Sequence, residues 1–188
     1  MNIGDILKDV NKVKSFLEKL IDDKKNKDLV EILIPIVKHS DLTYNYAKKI
    51  VKDKVKDEWE DIIAQDSLSS YNYAMTVLNG PFPKGEDVIA TNPYTAYNYA
   101  RNVLKGRFEK GEDAIAKSAI FSYYYAKDVL HDRFPKGEKA IISSKVKPST
   151  SDLLEDDEFV LDAYIEFLKS IGKLNEFLRA HPEVKEWI

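Results

Sequence analysis

Through the middle of the chain apolar residues recur three and four positions apart. Leu68, Tyr71, Ala74 and Leu78 share one spacing with Tyr94, Tyr97, Ala100 and Leu104 and with Ile120, Tyr123, Ala126 and Leu130. Steps of three, three and four set these residues on one face of a helix. Start signals agree, since Asp66, Asn92 and Ser118 are capping residue types and Asn92 is followed by Pro93, the residue suited to the first helical position. Gly80 and Gly106 stand where a residue of positive φ ends the helix, with Asp132 as a weaker stop in the next copy. A short loop around Phe82, Phe108 or Phe134 then leads to a Lys-Gly-Glu triplet, which opens a shorter second helix bearing Ile89, Ile115 or Ile141.

The pattern is a repeat. Aligned on Ala47, Ala74, Ala100 and Ala126, the copies are spaced by 27, 26 and 26 residues. The first copy keeps Tyr44, Tyr46 and Ala47 but has Val55 in place of the Phe and "KDKVKDEWEDII" in place of the glycine-containing loop. A hairpin of this size cannot bury its own apolar face, so the expected fold is all-α, an α-solenoid of stacked helical hairpins. The expected divisions are an N-terminal helical cap over 1–39, repeats over 40–143 (40–65 divergent, then 66–91, 92–117 and 118–143), and a C-terminal acidic helical segment over 144–188.

The flanks are helical in a different way. Ile3, Ile6, Val10, Val13, Leu17 and Leu20 form a heptad seam, which is shorter than a coiled coil usually needs. A cap helix packed on the first repeat is the favoured reading, and a homodimer through this helix is the alternative. Pro35 is expected to kink or start a helix. Beyond "SSKVKPSTS", Asp152 and Glu155 resemble a helix start, and Leu153, Leu154, Val160, Leu161, Tyr164, Phe167, Leu168 and Ile171 make a broad stripe stopped by Gly172. A last segment from Leu174 to Ile188 would lie against it, completing a helical pair.

Composition narrows the function. The chain has 188 residues, 44% of them hydrophobic, which suffices for a continuous core. With 29 Lys and Arg against 32 Asp and Glu, net −3, there is no global basic field for nucleic acid. The absence of Cys excludes disulfides and thiol chemistry and fits a reducing compartment. The opening "MNIGDILKDVNKVK" lacks the apolar core of a signal peptide, and the run Leu29 to Val37 is too short to cross a bilayer. A cytoplasmic protein without membrane contact is expected.

Three sets of residues are candidates for contact with a partner. Tyr73, Tyr99 and Tyr125 point away from the face shared by Tyr71, Tyr97 and Tyr123, so they line either the contact between successive helices or an exposed ladder able to stack on bases. The loop bases Lys84, Arg107, Lys110, Arg133 and Lys136 recur at one place in the repeat and would form a basic edge. That edge is offset by Glu86, Glu112 and Glu138, read as solvated acids at a helix start, and residues 66–143 hold ten basic against nine acidic side chains. Residues 144–188 are net −4, with Glu155, Glu158, Asp162 and Glu166 stepping along one helical face, a stripe suited to a basic partner or to solvent. The histidines His39, His131 and His181 lie far apart, and no catalytic, metal or cofactor motif is present. An enzyme is not expected.

The units "YNYARNVLKGRFEKGEDAIAK" and "YYYAKDVLHDRFPKGEKAIIS" resemble short helical repeats found in proteins of tailed bacteriophages and large viruses, with Tyr-Ala, Val-Leu, Gly-Arg-Phe-Pro and Gly-Glu at these positions. The match is good over residues 66–143 and weak over 40–65. It implies a phage accessory protein that inhibits or modulates a host or defence protein in the bacterial cytoplasm, and it carries no site residues with it. Nucleic-acid binding through the loop edge and tyrosines is the alternative function.

Overall fold

A computed structural model describes residues 10–24, 26–145 and 159–188 of the chain. Every regular element among those residues is helical, as the periodicity requires. The chain divides into two compact units, Met1–Ile89 and Ala90–Ile188.

The first unit begins with α1 (Val10–Asp23) and α2 (Lys27–Val37). Val13, Leu17, Leu20 and Ile21 of α1 are buried, and α1 packs on α2 and on α3 (Ser40–Tyr46). These seam positions are therefore occupied within the chain. This is the arrangement of the cap reading, and the alternative of a homodimer through this helix gains no support from Val13, Leu17 and Leu20. Ile3 and Ile6 lie outside the described residues. Pro35 neither starts nor breaks α2, being placed in its final turn, and Lys38 at φ 47° ends the helix.

Two hairpins complete the unit. Helix α3 runs into a widened turn of π type, Ala47–Val51, and is followed by α4 (Asp57–Ile63). Helix α5 (Ser67–Tyr73) runs into the same turn, Ala74–Leu78, followed by a 3-10 turn at Pro83–Gly85 and α6 (Glu86–Ile89). The first helices of the two hairpins, α3 and α5, lie against each other.

The second unit repeats the plan. Helix α7 (Pro93–Asn98) continues as Tyr99–Leu104 and returns through α8 (Glu112–Ile115). Helix α9 (Ala119–Tyr125) continues as Ala126–Leu130 and returns through α10 (Pro135–Ser144). Helix α7 packs on α9, α8 packs on α10, and α11 (Val160–Ser170) packs on both α9 and α10. Helix α12 (Leu174–Ala180) and a 3-10 turn at Pro182–Trp187 follow, with Gly172 at φ 72° between α11 and α12. The expected C-terminal helical pair is thus present. Asp152, Leu153, Leu154 and Glu155 lie outside the described residues.

The capping residues act as their chemistry directs. Asp66 accepts from the Ser69 N–H, Asn92 from the Tyr94 and Thr95 N–H groups, and Ser118 from the Phe121 N–H. The helix stops differ from expectation. Positive φ falls one residue earlier than the glycines, at Asn79, Lys105 and His131, and at Lys52 in the first copy. In the last three copies the carbonyl of the repeat alanine accepts both the N–H of that residue and the next one, as Ala74 does from Asn79 and Gly80. Two N–H groups converging on one carbonyl turn the chain without a glycine at φ > 0.

The second glycine of each repeat is the constrained one. A methyl group on Gly111 would stand 2.6 Å from Phe108 Cδ1 and 2.8 Å from Ala96 Cβ, and Gly85 is closed in the same way by Phe82 and Ser70. Lys-Gly-Glu is thus the point where the second helix touches the first, and only glycine fits.

Candidate partner-binding surface

The repeat tyrosines and loop acids form internal junctions. In the second unit the Phe108 backbone N–H donates to the Tyr125 hydroxyl (2.9 Å), and that hydroxyl donates to Glu112 Oε1 (3.4 Å). The Phe134 N–H donates to the Tyr164 hydroxyl (3.2 Å), which donates to Glu138 Oε1 (2.9 Å). In the first unit the Val55 N–H donates to Tyr73, and Tyr73 donates to Glu60 Oε1. Each tyrosine therefore joins its own hairpin to the one before it, satisfying a buried loop N–H and adding a hydrogen bond to a buried carboxylate.

Tyr73, Tyr99 and Tyr125 are 0% exposed. Their candidacy for a partner surface or a base-stacking ladder is corrected: their rings meet Phe82, Phe108 and Phe134 edge-on at 5.1 Å. Tyr71 and Tyr97 of the preceding set are buried as well, at 6% and 5%, in keeping with the face they share with the repeat alanines, and the Tyr97 hydroxyl donates to Asp128 at 2.7 Å. The buried side of these helices is wider than the single face read from sequence. Each first helix is covered by its own second helix and by neighbouring helices, so the buried arc is broad and leaves Leu68 and Tyr94 outside it, 47% and 48% exposed.

The acids also change role. Glu112 and Glu138 are each 1% exposed rather than solvated. Arg107 holds Glu112 through Nε (2.6 Å) and Nη2 (3.2 Å), and Arg133 holds Glu138 through the same two atoms at 2.9 Å each. Burial opposes the charge on Glu138, but Arg133, Tyr164 and His181 outweigh it and hold the carboxyl below its usual range. Burial pushes the Tyr125 hydroxyl up to about 12, with the Glu112 charge adding to it against the lowering effect of the Phe108 N–H.

The basic edge is correspondingly engaged. Lys84 binds Asp61 at 2.8 Å, and Lys136 binds Asp113 at 3.0 Å with Glu112 at 3.5 Å. With Arg107 and Arg133 fixed on buried carboxylates, four of the loop bases are matched to acids of this chain; Lys110 is exposed beside them. A phosphate would have to displace those carboxylates, which is the physical objection to the expected track.

The acidic stripe is only partly visible. Glu155 and Glu158 lie outside the described residues. Asp162 is paired with Lys145 at 3.3 Å and Glu166 with Lys169 at 2.6 Å, both exposed.

Two surfaces remain that the repeat signature does not use. In the first unit a cleft of about 530 Å³ lies between α2 and α4, with Pro35, Trp59 and Ile62 in its walls and Glu31, Lys38 and Lys56 among its polar groups. Ile32 and Ile36, 62% and 57% exposed, stand on the same helix as Pro35.

In the second unit aromatic rings from α7 and α9 form one cluster. Tyr94 meets Phe121 edge-on at 6.0 Å, Tyr97 lies near-parallel to Tyr124 at 6.0 Å, and Tyr124 meets Tyr123 at 5.2 Å. Tyr94 and Tyr124 are exposed, the latter by 37%. Lys127 lies over Tyr123 at 5.4 Å, and Arg101 stands 3.7 Å from Asp128. Sequence reasoning placed Tyr94 in the core. Its outward position was signalled by Asn98, Arg101 and Asn102, which occupy the same side of the helix one and two turns on.

No group of His, Asp or Glu among the described residues is placed to hold a metal ion, and no helix among them is long and apolar enough to cross a membrane. Compared with known proteins, the chain matches no family model, no curated protein and no solved structure.

Proposed function

We propose that the chain is a non-enzymatic, protein-binding helical repeat protein whose partner contacts lie on the outward faces of its first helices. The observation that carries this reading is the aromatic cluster of the second unit. Tyr94 and Tyr124 stay exposed although the fold buries the tyrosines it needs for packing. Aromatic side chains with polar tips are the residues most often found at the centre of protein interfaces. The resemblance of the repeats to those of tailed-phage and large-virus proteins supports a narrower version, a phage accessory protein that inhibits or modulates a host or defence protein in the bacterial cytoplasm.

The test is retention of host proteins on the immobilised full chain, measured by quantitative mass spectrometry against a Tyr94→Ala/Tyr124→Ala variant of equal stability. A defined protein retained by the wild type and lost from the variant is expected. Identical retention profiles would contradict this placement of the interface.

A further inference from the structure

The outward face of the second unit has a chemical bias that specifies its partner beyond "protein". Residues 93–106 carry Arg101 and Lys105 and no acid, and residues 119–131 carry Lys127 and a single acid, Asp128. Asp128 is engaged, accepting from the Tyr97 hydroxyl and standing beside Arg101. Arg101, Lys105 and Lys127 are exposed, and the Lys105 ammonium has no charged partner among the described residues. Arg101 and Lys127 therefore stand at an aromatic patch that holds no available carboxylate, with Lys105 four residues beyond Arg101 at the end of its helix.

The rings add a second bias. Tyr124 lies at 29° to Tyr97 and 37° to Tyr123, with ring centroids 6.0 and 5.2 Å away. The patch also offers phenol O–H groups outward, since the Tyr94 and Tyr124 hydroxyls make no hydrogen bond to any described residue. Hydroxyl and cationic donors around apolar rings suit an acceptor-rich chain with apolar side chains of its own.

Resting on the protein-binding reading above, we infer that the α7–α9 face of the second unit binds an acidic polypeptide segment. Its carboxylates would meet Arg101, Lys105 and Lys127, and its apolar side chains would lie on Tyr94, Phe121 and Tyr124. Charge complementarity selects this occupant, since a basic segment would face three exposed cations and no carboxylate beyond the already engaged Asp128.

The experiment is selection of a random 16-residue peptide display library on the immobilised full chain, followed by fluorescence anisotropy of the enriched peptides at two salt concentrations. Enrichment of Asp and Glu interspersed with apolar residues is expected, with affinity falling as salt rises. Arg101→Glu/Lys127→Glu should weaken these peptides at least tenfold and Tyr94→Ala/Tyr124→Ala to a similar degree, both variants keeping the wild-type melting temperature within a few degrees.

Enriched peptides of neutral or basic composition that still lose affinity in Tyr94→Ala/Tyr124→Ala would overturn the acidic-partner inference and leave the protein-binding reading standing. Absence of any enriched peptide, together with tighter binding of a 20-nucleotide oligo(U) that Arg101→Glu/Lys127→Glu abolishes, would overturn both. Absence of enrichment alone also counts against the inference.

Discussion

Tyr164 and Glu138, 26 residues apart in sequence, meet at 2.9 Å, and the same tyrosine hydroxyl receives the backbone N–H of Phe134. Tyr164 thus does in the C-terminal helical pair what Tyr125 does one hairpin earlier. Phe177 meets its ring edge-on at 5.6 Å, in the place that Phe134 takes beside Tyr125. The C-terminal segment docks on the last repeat by imitating one.

Breaking this joint should be costly. Glu138→Ala takes the two short hydrogen bonds from Arg133, whose side chain is only 15% exposed, leaving it Glu176 at 3.9 Å, and a loss of about 3 kcal/mol is expected. Tyr164→Phe removes two hydrogen bonds and should cost about 1–3 kcal/mol. Urea denaturation of both single variants and the double variant measures the coupling. The pair is expected to be non-additive, because both changes act on one network.

The same network sets a pH response. Glu138 has a folded pKa below its unfolded one, so its contribution is complete above the unfolded carboxylate range and disappears as pH falls through the folded value. Tyr125 behaves in the opposite sense. Its folded pKa is raised to about 12, so its contribution is complete below about pH 10, the usual tyrosine value, and is lost as pH rises through about 12. Tyr46, Tyr73, Tyr97 and Tyr164 are raised further still, by burial first and by nearby carboxylates. Phenolate absorbance should therefore show at least these five of the 11 tyrosines ionising only as the protein unfolds. Complete titration of all tyrosines near pH 10 with retained helicity would contradict the junctions.

The glycines separate by role. Gly111→Ala drives a methyl into Phe108 and Ala96 and should cost about 1–3 kcal/mol. Gly106→Ala meets nothing nearer than 3.9 Å and should change stability by less than about 0.5 kcal/mol. Thermal melts of the two variants check this.

At the helix stops the trend reverses. His131 holds φ 52°, a conformation glycine adopts without the penalty a side chain incurs. His131→Gly is expected to stabilise the protein by about 0.5–1 kcal/mol, measured from the denaturation midpoint.

Much of this architecture is legible in the sequence. The caps at Asp66, Asn92 and Ser118 and the core residues Ile89, Ile115 and Ile141 follow from local chemistry and period. The junctions do not, because an acid at a helix start has a sufficient local explanation in the helix dipole. A finer signal was present. Glu60, Glu86 and Glu112 precede Tyr73, Tyr99 and Tyr125 by 13 residues each, even where the first copy diverges. A dipole-compensating acid has no reason to keep that distance. Which of the two readings holds for Tyr73, Tyr99 and Tyr125 is not legible in the sequence for a related reason, since one helix's periodicity reports a single face while packed helices bury several sides.

Tyr124 and Tyr125 are adjacent, chemically identical and placed oppositely, one exposed by 37% and the other fully buried with its hydroxyl between Phe108 and Glu112. The most direct measurement is the urea unfolding free energy of Tyr124→Phe beside that of Tyr125→Phe. Expected is a loss of about 1–3 kcal/mol for Tyr125→Phe and a change under about 0.5 kcal/mol for Tyr124→Phe. Equal effects, or a greater loss for Tyr124→Phe, would contradict the division between tyrosines that join the repeats and tyrosines left for a partner.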